Sequence, residues 1–90
     1  MNWDDLRIFL AVARAGTLSA AGQRLGIDAT TVARRVARLE ARLGRTLFEL
    51  TPAGHALTPR GAELLAHAEA MESAALALSA SDEEGGHPGG

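Results

Sequence analysis

The sequence contains no cysteine, no lysine and no tyrosine, and its only aromatic residues are Trp3, Phe9 and Phe48. Without cysteine there is neither a disulfide framework nor a thiolate metal site, a usage that fits a reducing cytoplasm. Only five residues are valine or isoleucine, too few β-formers for a large sheet. No apolar run approaches the ~18 residues of a membrane-spanning helix. The start, Met1-Asn2-Trp3-Asp4-Asp5, is acidic where a secretory signal needs a basic region. There is no Gly-rich phosphate loop and no Cys or Lys nucleophile, and His55, His67 and His87 lie far apart in the chain. Glu63 and His67 are one helical turn apart, but two ligands do not make a metal site, and the pair reads as an ordinary exposed helix face. No enzyme activity, cofactor or metal is expected.

What is present is alanine (19 residues), leucine (13) and arginine (all nine cations) in a chain of 90 residues. That length forms one domain around one core, and the composition favours helices. The net charge of −2 averages two unlike parts. Residues 1–60 carry nine basic and five acidic side chains, a net of +4, whereas residues 61–90 carry six acidic and no basic ones. An arginine-only cationic part suits phosphates and guanine edges, because the guanidinium is a planar, permanently charged fork.

Apolar positions at Trp3, Leu6, Phe9, Leu10 and Ala13 predict a first helix over 3–15 with one buried face, stopped by Gly16. Ser19 then serves as the N-cap of a short second helix ending at Leu25. Gly26-Ile27 makes a tight corner and Asp28 caps a third helix running from Ala29 to about Leu43. Ile27 and Val32 have the spacing of a hydrophobic staple, and Val32, Val36, Leu39 and Leu43 form the buried stripe. Thr46–Leu50 and His55–Thr58 flank Thr51-Pro52-Ala53-Gly54, a turn signal that predicts a small hairpin. Thr58-Pro59 opens a last helix to about Ala80. Its positions Leu57, Gly61, Leu64, Ala68, Met71, Ala75 and Leu78 repeat every 4 and 3 residues, a heptad seam that calls for a partner helix. Residues 82–90 are acidic, Gly-rich and expected to be unstructured.

Two short helices joined at a Gly corner and followed by a hairpin constitute a winged helix-turn-helix, a mainly α fold. Thr30, Thr31, Arg34, Arg35 and Arg38 share one side of the third helix, opposite Val32, Val36 and Leu39. An outer face of that kind reaches into a major groove, where Arg34 and Arg35 meet base edges and guanine is the commonest target. The positive end of the helix favours a phosphate. Arg38 and Arg42 fall further along, near backbone or solvent.

The runs Leu6-Arg7-Ile8-Phe9-Leu10-Ala11-Val12-Ala13 and Gly16-Thr17-Leu18-Ser19-Ala20-Ala21 resemble the N-terminal domain of LysR-type transcriptional regulators. So do Arg24-Leu25-Gly26-Ile27, Val32-Ala33-Arg34-Arg35-Val36, Leu39-Glu40, Leu43-Gly44, Leu47-Phe48 and Leu57-Thr58-Pro59-Arg60-Gly61. The resemblance runs almost without gaps from Asn2 to Leu78. It implies a DNA-binding domain over 1–58, a linker helix over 59–81 that pairs antiparallel with a second copy, and binding of the homodimer to an interrupted palindrome in double-stranded DNA. It also implies DNA contacts from Ser19 and Ala29 at the starts of the two short helices and from His55 in the wing, beside the recognition face. Dimer contacts would come from Leu64, Ala68, Met71, Ala75 and Leu78. Three positions depart from the family pattern: Ala29 stands where Gln is frequent, Ala33 where Ser is common, and Leu50 where the wing usually carries Arg. The wing is therefore expected to contribute little charge. The family's effector-binding α/β domain has no counterpart here, so neither an effector nor an effector pocket is expected within these residues. The competing reading is a small interaction protein that pairs with a full-length regulator through the linker helix and antagonises it.

Overall fold

Helix α1 (Trp3–Ala15) is the hub of the domain. It begins where Asn2 Oδ1 accepts the Asp5 N–H at 2.9 Å and ends at Gly16, whose φ of 81° turns the chain out of the helix. The pattern of one buried face understates it. Leu6, Ile8, Phe9, Leu10, Ala11 and Val12 are all buried, because α1 is packed on several sides at once, while Trp3 at the helix start is 42% exposed. The elements that cover it are α2 (Leu18–Leu25), α3 (Ala29–Leu43), the hairpin strand β2 (Gly54–Leu57) and α4 (Pro59–Gly85). The computed structural model describes residues 2–85, with side-chain environments given for 2–80.

The second helix starts earlier than the Ser19 cap predicts. Thr17 is the N-cap: its backbone is extended and its hydroxyl accepts the Ala20 N–H at 3.1 Å. The chain reverses at Gly16 and enters the helix at once, so Ser19 sits exposed in the first turn. Gly26 (φ 73°) closes α2 in the left-handed region, which a residue with a Cβ adopts only at a cost. Asp28 then caps α3 through its carboxylate, which accepts the Thr31 N–H at 2.7 Å. Val32, Val36 and Leu39 are buried as the spacing requires. Leu43 is not: as the last residue of α3 it lies at the domain edge, 36% exposed.

Strand β1 (Phe48–Thr51) pairs antiparallel with β2, in the register Phe48 with Leu57 and Leu50 with His55. The hairpin is displaced from the predicted Thr46–Leu50 and His55–Thr58 because the flanking groups are committed elsewhere. The Leu47 and Phe48 N–H groups donate to the Glu40 carboxylate at 2.7 and 3.3 Å. Thr58 donates through its hydroxyl to the Thr46 carbonyl at 2.6 Å and through its N–H to the Leu47 carbonyl at 3.0 Å. The same hydroxyl accepts the Gly61 N–H at 3.0 Å, which makes Thr58 the N-cap of α4, with Pro59 first in the helix.

Helix α4 continues to Gly85, past the expected stop near Ala80 and into the stretch expected to be unstructured. The remainder of that stretch, residues 86–90, lies outside the described residues. The proximal half of α4 belongs to the domain. Gly61 is buried against Leu47, and Ala68 is 0% exposed. Ala68 is therefore already covered by its own chain and is not available to a partner helix, which corrects its place in the seam. Arg14 grips the same stretch, with Nη2 at 2.6 Å from Glu72 Oε1 and Nη1 at 3.0 Å from Oε2. On its other side and further along, the helix stands clear: Met71 is 52% exposed, and Leu76 and Leu78 are each 65% exposed.

Candidate nucleic-acid interface

Helix α3 offers one face to solvent along most of its length. Thr30, Arg34 and Arg38 follow one another at single-turn intervals and are all exposed, with Arg38 57% exposed at its side chain. Arg34 and Arg35 form no ion pair among the described residues. The two arginines are not equivalent. Arg34 points outward, whereas Arg35 is half-buried and lines a cleft with Asp4, Arg7, Ile8, Leu25 and Ile27, on the α1 side of the helix. Thr31 and Ala29 are also half-buried.

The N-terminus of α3 differs from the phosphate site that its polarity suggests. The Asp28 carboxylate occupies it, and the Thr31 N–H, then the Thr31 hydroxyl, and more weakly Arg34 and the Thr30 N–H, hold its carboxyl below the usual carboxylate range. Its negative charge offsets the helix dipole there. Attraction for phosphate consequently rests on arginines and not on that helix end.

Between α3 and the wing lies an open groove of about 210 Å³, lined by Leu18, Ala33, Val36, Ala37, Glu40, Phe48, Leu50 and His55. His55 is half-buried, its ring set edge-on to Phe48 at 6.3 Å, and its backbone N–H donates to the Gly16 carbonyl at 2.8 Å. It thus faces the groove beside Leu50, which is 79% exposed. The strand register puts Glu49 and Ala56 on the opposite face of the wing, where neither supplies a cation. Of the residues singled out from sequence, Thr30, Arg34 and Arg38 come together on one open surface. Ser19 stands exposed on α2, Arg35 turns toward α1, and His55 turns into the groove.

Two residues that organise this surface escaped the sequence pattern. Glu40, the one acidic residue of α3, ties the wing to the helix through Leu47 and Phe48. Asp5 accepts a hydrogen bond from Arg42 at 3.0 Å. An acid in a first turn reads from sequence as a dipole contact alone, so a partner 37 residues away is invisible there.

The family model for the bacterial regulatory helix-turn-helix protein, lysR family, matches residues 3–62. The chain belongs to the LysR family. This is a family of transcription-regulator DNA-binding domains and not of enzymes. Among curated LysR-like relatives, the Mau operon transcriptional activator of Paracoccus denitrificans is 42% identical over 78 residues, covering 87% of this chain and 28% of that protein. A probable hydrogen peroxide-inducible genes activator of Mycobacterium avium is 45% identical over 75 residues, covering 83% and 24%. The chain thus spans about a quarter of the length of these two relatives. Among solved structures, the complex of the CbnR DNA-binding domain with DNA superposes with a TM-score of 0.83 at 31% identity, covering 97% of this chain and 100% of that one. Full-length CbnR, a LysR family transcriptional regulator, superposes at 0.79 with 34% identity, covering 93% and 28%. The winged helix-turn-helix with its long final helix is the LysR DNA-binding architecture. No helix among the described residues is long and apolar enough to cross a membrane.

Proposed function

We propose that this chain binds double-stranded DNA sequence-specifically as a homodimer, on an interrupted palindrome in a bacterial promoter, within the cytoplasm and on the nucleoid. Residues 1–58 act as the reading head and 59–81 as the linker. Helix α3 enters the major groove, with Arg34 reading a base edge and Thr30 beside it. The observation that carries this reading is the open Arg34 between Thr30 and Arg38, without an ion pair among the described residues, on a fold that superposes on a DNA-bound LysR domain. Arg38 supports phosphate contact by its exposure, and Arg35 and Thr31 serve the groove edge nearer α1. Ser19 and the wing around His55 flank the helix and add positioning contacts, few of them charged.

The distal part of α4 supplies the dimer contact through Met71, Ala75 and Leu78, with Leu64 at its proximal end. Exposed apolar side chains on a projecting helix favour pairing with a second copy. Selection from a pool of random-sequence duplexes tests the proposal. Enrichment of two half-sites in inverted orientation with a fixed gap is expected. Enrichment of a single half-site, or of none, overturns the dimeric reading or the DNA reading respectively.

A further inference from the structure

Asp5 is a buried carboxylate that the reading surface does not use. Its side chain is 3% exposed, and it is the third residue of α1, facing the distal half of α3. One of its oxygens accepts from Arg42 Nη1 at 3.0 Å. The other stands 4.0 Å from Arg38 Nη2, beyond hydrogen-bonding range. A buried carboxylate requires a matching charge and hydrogen bonds, and the positive end of α1 adds to the match. The Arg42 pair is therefore persistent in a way that an exposed pair, such as Arg7 with Asp4 at 3.4 Å, is not. Arg42 is drawn toward α1. Arg38, one turn nearer Arg34, is held only by the longer 4.0 Å ion pair to the same carboxylate, with no hydrogen bond, and its side chain is 57% exposed.

The geometry points to Asp5 as a positioning residue that withholds Arg42 from DNA and leaves Arg38 as the phosphate-contacting arginine beyond Arg34. The inference rests on the DNA-binding reading above and concerns its selectivity. An arginine on a phosphate strengthens binding to every sequence alike. Holding one back lowers sequence-independent binding while Arg34 keeps its base contact, so the ratio of specific to random binding rises.

The test is the salt dependence of binding to a short random-sequence duplex, followed by fluorescence anisotropy. Arg38→Ala makes the log–log salt slope shallower by about 0.9, the value of one phosphate contact. Asp5→Asn frees Arg42 and steepens the slope by about the same amount. The charge-neutral double replacement Asp5→Asn with Arg42→Gln returns the slope to that of the unaltered chain. A double variant as shallow as Arg38→Ala overturns the inference, because Arg42 then already contacts a phosphate. So does a slope unchanged by Asp5→Asn. If circular dichroism shows Asp5→Asn unfolded, Arg42→Gln alone decides: an unchanged slope supports the inference and a shallower one overturns it. A failure of the unaltered chain to bind in a salt-dependent way is a separate result, which removes the DNA reading and the inference with it.

Discussion

Arg34 is set apart from the other eight arginines by having an exposed position on the outer line of α3 and no ion-pair partner among the described residues. Arg34→Ala is expected to cost about 1–3 kcal/mol of DNA binding and to change the preferred base at one position, read by repeating the selection. Glu40 acts on the fold instead. Its carboxylate serves two wing N–H groups, so Glu40→Ala should lower stability by about 1.5–3 kcal/mol in a denaturant titration, the range for hydrogen bonds to a charged group. An unchanged midpoint would show that the wing does not depend on this tie. At this scale the sequence was legible where chemistry is local. Asp28 as a cap and Gly26 as a corner follow from what their side chains can and cannot do. Thr17 was missed in favour of Ser19 because both are competent caps and only the reversal at Gly16 chooses between them. Long-range partners such as Asp5 with Arg42 leave no local trace.

At the scale of elements, the helices follow from periodicity and their stops from glycine, and α1 and α3 match their expected spans to the residue. The hairpin ends did not follow, since the Leu47 and Phe48 N–H groups are taken by Glu40, and the Thr58 hydroxyl is committed to the Thr46 carbonyl and to the Gly61 N–H that starts α4. Gly54 shows how the wing docks. Its φ is 126°, and a Cβ there would collide with the Gly16 carbonyl. Gly54→Ala should therefore cost about 1–3 kcal/mol of stability, while the helical circular dichroism signal survives below the melting transition. The link between α1 and α4 has a pH signature. The hydrogen bond from Arg14 holds the Glu72 carboxyl below the usual carboxylate range. A carboxyl lowered on folding contributes stability that is complete above its unfolded value, roughly pH 4.3, and that is lost as the pH falls through the lower folded value. Thermal midpoints of the unaltered chain and Glu72→Gln should thus differ at neutral pH and converge in acid. A constant difference would contradict the link.

At the scale of the molecule, the split in charge acquires a geometry. The nine arginines lie in residues 1–60, while α4 projects from the head with acidic residues and an uncovered apolar end. The heptad seam was legible as a pattern, but its first half proved to serve the head. Gly61 and Ala68 face inward because the same 4-and-3 spacing that builds a coiled coil also fits a helix lying on a core. The part left for a partner is centred on Met71, and Met71→Glu should convert a dimer to a monomer in sedimentation without loss of fold. A dimeric mass for that variant would place the contact elsewhere.

We propose that the outer face of α3 reads duplex DNA. The most direct measurement titrates the purified chain and Arg34→Ala, side by side, against the selected duplex and a random one at two salt concentrations. Binding is expected to weaken steeply with salt for both duplexes, and Arg34→Ala is expected to abolish most of the preference for the selected duplex. Equal preference in the two proteins, or binding indifferent to salt, would contradict this reading.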